Sequence, residues 1–164
     1  MINIAKLNAS KNDECYTPAD ALPALIKHLP DWVHHVWCPC DKPESEIVKA
    51  LKLAGKDVIS THIDTGHDFL QYEPALHYDM IITNPPYSNK DDFICRCVEL
   101  GKPYALLLPL DSLCGKRRRE AYKSGAGVIT LANRRDFTGK GKNWFYNAWV
   151  CSWSEINGKW VQED

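Results

Sequence analysis

Apolar and polar residues follow one another along the chain in blocks that predict strands and helices in alternation. Short apolar runs have the length of strands, and between them lie segments whose apolar residues recur every three to four positions, as on one face of a helix. Strict alternation of this kind is typical of an α/β fold with a doubly wound, mostly parallel sheet. The predicted strands are 32–37, 58–64, 78–83, 103–109 and 127–131, and the predicted helices are 18–29, 47–54 and 90–100.

The end of the chain departs from this alternation. Two strand-like runs lie on either side of Asn157-Gly158, and Asn-Gly between such runs is a strong signal for a β-hairpin. We therefore predict that a C-terminal antiparallel hairpin completes the sheet.

Composition places the chain among ordinary globular domains. Its 164 residues suffice for one domain, and 45% apolar with 25% charged residues predicts a packed core. No apolar run approaches the length of a membrane span, and the N-terminus lacks the apolar core of a signal peptide. We expect a cytoplasmic protein with a single domain over 1–164, in which residues 1–14 form an arm.

The seven cysteines are odd in number and are not spaced as a disulfide framework. Two Cys-x-Cys pairs, at 38–40 and 95–97, raise the question of zinc because the His-His pair 34–35 is near the first of them. Structural zinc sites, however, use cysteines separated by two to four residues. We therefore predict reduced thiols that mostly fill core space, and no metal site.

The most informative segment follows the predicted strand 78–83, which ends abruptly at Asn84-Pro85-Pro86-Tyr87. Two prolines have no N–H to donate and a fixed φ, so they hold their carbonyls in one direction. Asn84 adds a side-chain acceptor, and Tyr87 adds a flat ring. A planar heterocycle with an exocyclic amino group, such as adenine, fits this combination.

The run Asn84-Pro85-Pro86-Tyr87 resembles the catalytic motif of S-adenosylmethionine-dependent methyltransferases that methylate adenine N6, particularly the small phage-type DNA enzymes. The resemblance implies a class I, Rossmann-like methyltransferase domain with these four residues as the catalytic set. Acceptors from Asn84 and the Pro85 carbonyl would localise the lone pair of the amino group and orient it for transfer. The alternative interpretation is a strand-ending turn that carries a surface tyrosine.

The resemblance also assigns residues to the cofactor. A Thr-Pro before a helix touches S-adenosylmethionine in these enzymes, which places Tyr16, Thr17 and Pro18 at its methionine end. Helix capping by Thr17, with Pro18 at the first helical position, explains the same residues equally well.

The loop after the first predicted strand lacks the Gly-x-Gly that methyltransferases usually carry, although its Pro-x-Asp resembles the phage-type enzymes. Cys38, Pro39 and Asp41 would take its place, with Asp41 accepting a hydrogen bond from the cofactor's ammonium group.

Two further cofactor contacts are expected after the second strand. An acid at that point accepts from ribose hydroxyls in related folds, and the sequence does not distinguish His62 from Asp64 in this role. Asp68-Phe69 resembles the pair that binds the cofactor adenine, in which Asp68 accepts from the amino group and Phe69 stacks on the ring. The alternative is a loop aspartate and a core phenylalanine.

Two segments are candidates for nucleic-acid contact. The basic run 116–123 is either the solvated face of a helix or a phosphate-binding surface. The segment 136–145 combines glycines, lysines and aromatic residues, and a loop at this place stacks an aromatic on the target base in related enzymes. The alternative for these aromatics is a hydrophobic lid on the core. The predicted contact residues are Lys116, Arg117, Arg118, Arg119, Trp144 and Phe145.

The sequence therefore predicts an adenine-N6 methyltransferase that acts on nucleic acid, with DNA ahead of RNA, of phage or prophage origin and located in the host cytoplasm. Because there is no room for a separate target-recognition domain, we expect short or relaxed sequence preference, or specificity conferred by a partner protein or a homodimer. Two rivals remain open. One is a binding protein that keeps the fold without the cofactor, and the other is the same chemistry on RNA adenine or on a protein glutamine.

Overall fold

A computed structural model of the chain describes residues 17–134 and 146–163. In these ranges seven strands form one sheet: β1 His35–Cys38, β2 Asp57–Ser60, β3 Met80–Thr83, β4 Tyr104–Pro109, β5 Gly127–Leu131, β6 Asn147–Ser152 and β7 Trp160–Glu163. Four α-helices accompany them: α1 Leu22–His28, α2 Glu46–Leu53, α3 Lys90–Leu100 and α4 Lys116–Tyr122. None of the described helices has the length and apolar composition needed to cross a membrane.

The strands lie in the order β2-β1-β3-β4-β6-β5-β7. β2, β1, β3 and β4 run parallel to one another, whereas β6 is antiparallel to both β4 and β5. All six residues of β4 are buried, as expected of a strand covered on both faces. The predicted α/β class, with a mostly parallel sheet and an antiparallel C-terminal part, is confirmed.

The predicted hairpin at Asn157-Gly158 is wrong in its pairing. Gly158 does turn the chain with a left-handed φ of 75°, but β7 pairs in parallel with β5 and not with β6. Both edges of β6 are occupied by β4 and β5, so the returning chain adds to the outer edge of β5 instead. Gly158 N donates to Ala126 O at 2.8 Å, and Gly127 leaves room for the backbone of Ile156 to pass.

Helices cover both faces of the sheet, so the sheet is doubly wound. Successive strand residues point to opposite faces, and adjacent residues of β3 accordingly belong to different cores, with Ile82 on the side of α1 and α2 and Ile81 on the side of α3 and α4. The helix residues of the first core include Leu22, Leu25, Ile47, Val48 and Leu51, and those of the second include Phe93, Ile94, Cys97 and Ala121.

The predicted start of the first helix is wrong. Thr17 makes no capping hydrogen bond, and a short 3-10 turn, Ala19–Ala21, precedes the α-helix, which begins at Leu22. The reason is Pro23, which lies in the first turn of α1. An α-helix begun at Pro18 would place Pro23 in its interior, where the missing N–H and the ring break the hydrogen-bond ladder.

The path of the chain creates a switch point between β1 and β3. After β1 the chain adds β2 on one side, and it then returns to add β3 on the other side of β1. In open α/β sheets, ligands bind outside the carboxyl ends of the strands at such a point. β1 ends at Cys38 and β3 ends at Thr83. The topology therefore indicates a ligand-binding site at the residues that follow these two.

We predict that Gly127→Ala lowers the free energy of unfolding by about 3 kcal/mol, which is the upper end of the usual cost of overpacking. An added Cβ would overlap with the backbone oxygen of Ile156, which has no side-chain freedom to move away. Gly101→Ala is the matched control: no atom lies within 4 Å of its added Cβ, although its φ is 63°, so only the left-handed conformation costs about 1 kcal/mol. Urea denaturation measures both, and equal losses would contradict the close approach at β5.

Candidate active site at the switch point

The Asn-Pro-Pro-Tyr run begins where β3 ends, as the sequence predicts. Asn84 Oδ1 is shielded from solvent, and Pro85 is buried. Pro86 has φ −60° and ψ 124°, an extended conformation compatible with its ring, and Tyr87 opens a 3-10 turn that leads directly into α3. The run is therefore held between a buried strand and a helix, with a carbonyl-type acceptor at its start.

Tyr87 is fixed by a residue that the sequence analysis missed. Asn147 Nδ2 donates a hydrogen bond of 2.8 Å to the Tyr87 hydroxyl. Asn147 is only 1% exposed and is the first residue of β6, paired with Pro109 of β4. An amide in an otherwise apolar strand is the only sign of it in the sequence, since the two residues lie 60 positions apart. The half-buried, hydrogen-bonded Tyr87 does not match the alternative of a surface tyrosine.

A surface hollow of about 510 Å³ opens beside Tyr87. Tyr146 borders it, is 47% exposed, and has the Arg134 guanidinium 5.6 Å from its ring centroid. The predicted stacking residues Trp144 and Phe145 lie outside the described residues, and Tyr146, the third of three consecutive aromatics, was missed. The hollow is lined by Tyr87, Lys90, Pro109, Leu110, Asp111 and Tyr146.

The bend after β1 packs directly against the end of β3. Cys38 and Pro39 are buried, and Asp41 is 7% exposed. Thr83 Oγ1 donates to Asp41 Oδ2 at 2.9 Å, and Asp41 N donates to Thr61 O at 3.2 Å. The structure thus brings the predicted cofactor bend and the predicted catalytic run together. The hollow beside Tyr87 includes no residue of this bend.

The Asp41 carboxyl is an unusual group for a buried position. Burial raises its pKa to about 6, although hydrogen bonds from Thr83 and Ser45 act in the opposite direction. At neutral pH a buried negative charge therefore lies at the switch point. Such a charge is stabilised by a cation placed beside it.

His62 and Asp64 both lie after the carboxyl end of β2. Asp64 N donates to His62 Nδ1 at 3.1 Å, and the Asp64 carboxylate lies 2.8 Å from Lys42 Nζ. The hydrogen bond from Lys42 and the charge of His62 lower the pKa of Asp64, whose side chain is about half exposed. The loops after β1 and β2 are thus joined by an ion pair, and both candidates for a ribose contact remain at this edge.

The Asp68-Phe69 pair is placed differently from the prediction. Asp68 Oδ1 accepts from Leu70 N at 3.0 Å, and Oδ2 accepts from Gln71 Nε2 at 3.2 Å, so the carboxylate stabilises its own turn. Phe69 is 2% exposed and stacks on Phe93 at 4.7 Å. The ring therefore lies in the core between α3 and the sheet, as the alternative of a core phenylalanine describes, and its stacking on a cofactor adenine stays a prediction.

The Thr-Pro segment has a structural role in the described part of the chain. Tyr16 lies outside the described residues, Thr17 is buried, and Pro18 precedes the 3-10 turn 19–21. This turn packs against α2, the helix that follows the Cys38–Asp41 bend. Thr17 and Pro18 therefore precede a turn that lies on the face of the sheet covered by α1 and α2.

The four predicted contact residues 116–119 open α4, and two of them are neutralised by ion pairs. Arg117 pairs with Asp92 at 2.8 Å, and Arg118 pairs with Asp91 at 3.4 Å, which ties α4 to α3. Lys116 and Arg119 are exposed, and neither has an ion pair with another described residue. The structure thus separates the four residues predicted as one group into two structural and two solvent-facing cations.

Comparison with known proteins returns solved structures of low similarity. No protein-family model and no curated protein matches the sequence. Among solved structures, the methyltransferase subunit of a type I restriction-modification system from Streptococcus thermophilus is 12% identical with a TM-score of 0.45, over 91% of this chain and 50% of that one. A Thermoplasma acidophilum protein assigned as a methyltransferase is 12% identical with a TM-score of 0.34, over 84% and 74%. This chain therefore spans half the length of the first, and likeness this low carries no argument about its activity.

We predict that Asp41→Asn removes a pH dependence of stability between about pH 4 and pH 6. A carboxyl whose folded-state pKa is raised to about 6 binds its proton more tightly when folded, so the free energy of unfolding falls as pH rises through this window. The loss amounts to about 3 kcal/mol above pH 6. Urea denaturation at several pH values measures it, with Asp31→Asn, at an exposed carboxyl, as the control. Identical pH profiles for Asp41→Asn and the parent would contradict a buried, ionisable Asp41.

Proposed function

We propose that this protein transfers a methyl group from S-adenosylmethionine to the N6 of adenine in a nucleic acid, with DNA ahead of RNA. The observation that carries the proposal is the position of Asn84-Pro85-Pro86-Tyr87 at the switch point, beside a surface hollow. Tyr87 lines this hollow, and its hydroxyl is held by Asn147. A rigid acceptor next to a fixed aromatic ring is what a planar amino-heterocycle requires.

At the substrate end, each residue has a distinct task. Asn84 Oδ1 and the Pro85 carbonyl accept hydrogen bonds from the adenine amino group, which concentrates its lone pair and fixes its direction. Tyr87 stacks on the base, and Asn147 keeps that ring in place through the 2.8 Å hydrogen bond. The hollow of about 510 Å³ has the size of a small-molecule site, and Tyr146 offers a second aromatic surface for an extruded base.

At the cofactor end, the residues suit a cationic ligand. S-adenosylmethionine supplies an electrophilic methyl group on a sulfonium and also carries an ammonium group. The buried Asp41 carboxylate, 2.9 Å from Thr83 Oγ1, is stabilised by such a cation because burial alone penalises its charge. His62 and the exposed Asp64 are the candidates for the ribose hydroxyls at the end of β2, and Cys38 and Pro39 supply the backbone of the bend.

Phosphate contacts are assigned to Lys116 and Arg119, the cations of α4 that face solvent. Arg134, beside Tyr146, and Lys90, which lines the hollow, add positive charge at the proposed base site. Cations of this kind hold a polyanion and position it without reading its sequence. We assign sequence selection to a partner protein or to a second copy of this chain.

One observation favours a second candidate, a nucleic-acid-binding protein that no longer binds the cofactor. Cys38 and Pro39 are buried, and no residue of their bend lines the hollow beside Tyr87. Calorimetry with S-adenosylmethionine and a DNA-binding assay on the intact protein distinguish the two candidates. Retained DNA binding without cofactor binding would support the second candidate and contradict the proposed methyl transfer.

The catalytic assignment predicts that Asn84→Ala lowers methyl transfer to DNA about 10³-fold, the scale for loss of one polar group that acts at the transition state. The affinity for S-adenosylmethionine should stay within a factor of about two, because the removed amide belongs to the base site. Tritium transfer and calorimetry measure the two quantities. Asn89→Ala, at the end of the neighbouring 3-10 turn, is the matched control and should keep near-parental activity. A collapse of cofactor affinity in Asn84→Ala would overturn the division between the two ends.

The phosphate assignment predicts a change in salt dependence. The double variant Lys116→Gln, Arg119→Gln should bind duplex DNA more weakly, with the slope of log K against log salt concentration reduced by about two, one for each phosphate contact. Arg117→Gln is the control, because Arg117 is already paired with Asp92, and it should leave the slope nearly unchanged. Fluorescence anisotropy at four salt concentrations measures the slopes. If Arg117→Gln had the larger effect, the basic surface would be assigned wrongly.

A further inference from the structure

A second cluster of chemically active side chains lies at the opposite edge of the sheet. His35 is the first residue of β1, and Asp79 immediately precedes β3, its parallel neighbour, so the two meet at the amino ends of these strands. His77 joins them, and one ligand-type atom from each residue lies within 4.8 Å of the other two. We propose that His35, His77 and Asp79 bind a divalent transition metal, with Zn²⁺ as the first choice.

The carboxylate of this cluster is held in place before any ion arrives. Asp79 Oδ2 accepts hydrogen bonds of 2.8 Å from the backbone N–H groups of both His34 and His35. Asp79 Oδ1 lies 2.8 Å from His77 Nε2. These three contacts fix the direction of both carboxylate oxygens. An ionised, oriented carboxylate is the form that binds a metal.

The surroundings of His35 add a supporting carboxylate. His35 Nδ1 lies 3.5 Å from Asp79 Oδ2, and His35 Nε2 lies 3.6 Å from Asp57 Oδ2. Histidines that bind metals commonly donate the other ring N–H to a carboxylate, which sets the tautomer and the orientation of the ring. Asp57 is the first residue of β2, so three adjacent strands contribute to the cluster.

The ligand types select the class of ion. Two imidazoles and one carboxylate suit Zn²⁺, Cu²⁺ or Ni²⁺, whereas Mg²⁺ and Ca²⁺ prefer sites built from oxygen ligands. Three protein ligands leave a fourth position for water. His35, His77 and Asp57 border a surface hollow of about 770 Å³, so an ion can enter from solvent. The expectation of no metal site rested on cysteine spacing, and this cluster contains no cysteine.

Cobalt substitution tests the site on the intact protein. After removal of metals with EDTA, the parent should bind one Co²⁺ tightly enough to survive gel filtration, with weak visible bands and without the intense charge-transfer absorption that thiolate ligands produce. Zn²⁺ should displace it and raise the melting temperature. His77→Gln should abolish binding, and the exposed His34→Gln is the matched control, which should bind as the parent does.

A second variant tests the metal site even if substitution of a ligand residue disturbs folding. Asp57→Asn alters a carboxylate that is 86% exposed, so the fold should persist while metal affinity falls 10- to 100-fold, as for other outer carboxylates. Three results would overturn the proposal: no retained Co²⁺ in the parent, a thiolate charge-transfer band, or equal affinity in His77→Gln and the parent. The last would leave the cluster as a hydrogen-bonded network of histidines around Asp79.

Discussion

The structure depends on the junction between β1 and β3, two strands of only four residues each. Two residue pairs join these strands, Val36 with Met80 and Trp37 with Ile81. Side-chain hydrogen bonds add to this pairing at both ends of the strands. At the carboxyl end, Thr83 donates to the buried carboxylate of Asp41. At the amino end, the Asp79 carboxylate accepts from the backbone N–H groups of His34, just before β1, and His35, its first residue. A short parallel pairing is thereby fastened by one aspartate at each end.

The elements of the fold could be predicted where local pattern and packing agree. The helix predicted over 90–100 has the predicted bounds, because its apolar residues face one core and Gly101 adopts the left-handed conformation that ends it. The apolar run that forms β4 is buried along its whole length. Pairing is different, since it depends on which edge is available when the chain returns. Asn157-Gly158 turns the chain as expected, yet β7 joins β5 because β6 has no open edge.

The candidate site was predictable in part for the same reason. Asn84 to Tyr87 are adjacent in sequence, so their joint placement follows from one strand end. The partners that hold them come from distant positions: Asn147 lies 60 residues after Tyr87, and Asp41 lies 42 residues before Thr83. Phe69 shows the limit of a local motif. Its place beside an aspartate suggests a ligand contact, but in the structure its ring packs against Trp37 and Phe93 in the core.

The two candidate sites of this protein occupy opposite ends of the same two strands, separated by roughly 13 Å, the rise of four strand residues. No ligand at one end touches the other, so any effect between them must pass through the pairing of β1 with β3. A reaction that depends on the orientation of its groups slows when they are misplaced by about 1 Å. The position of the Asn84 acceptor is set by Thr83, the last residue of β3. An ion bound at the proposed site of Asp79 and His35 would act on the opposite edge by making this short pairing harder to open, without contact to the proposed base site.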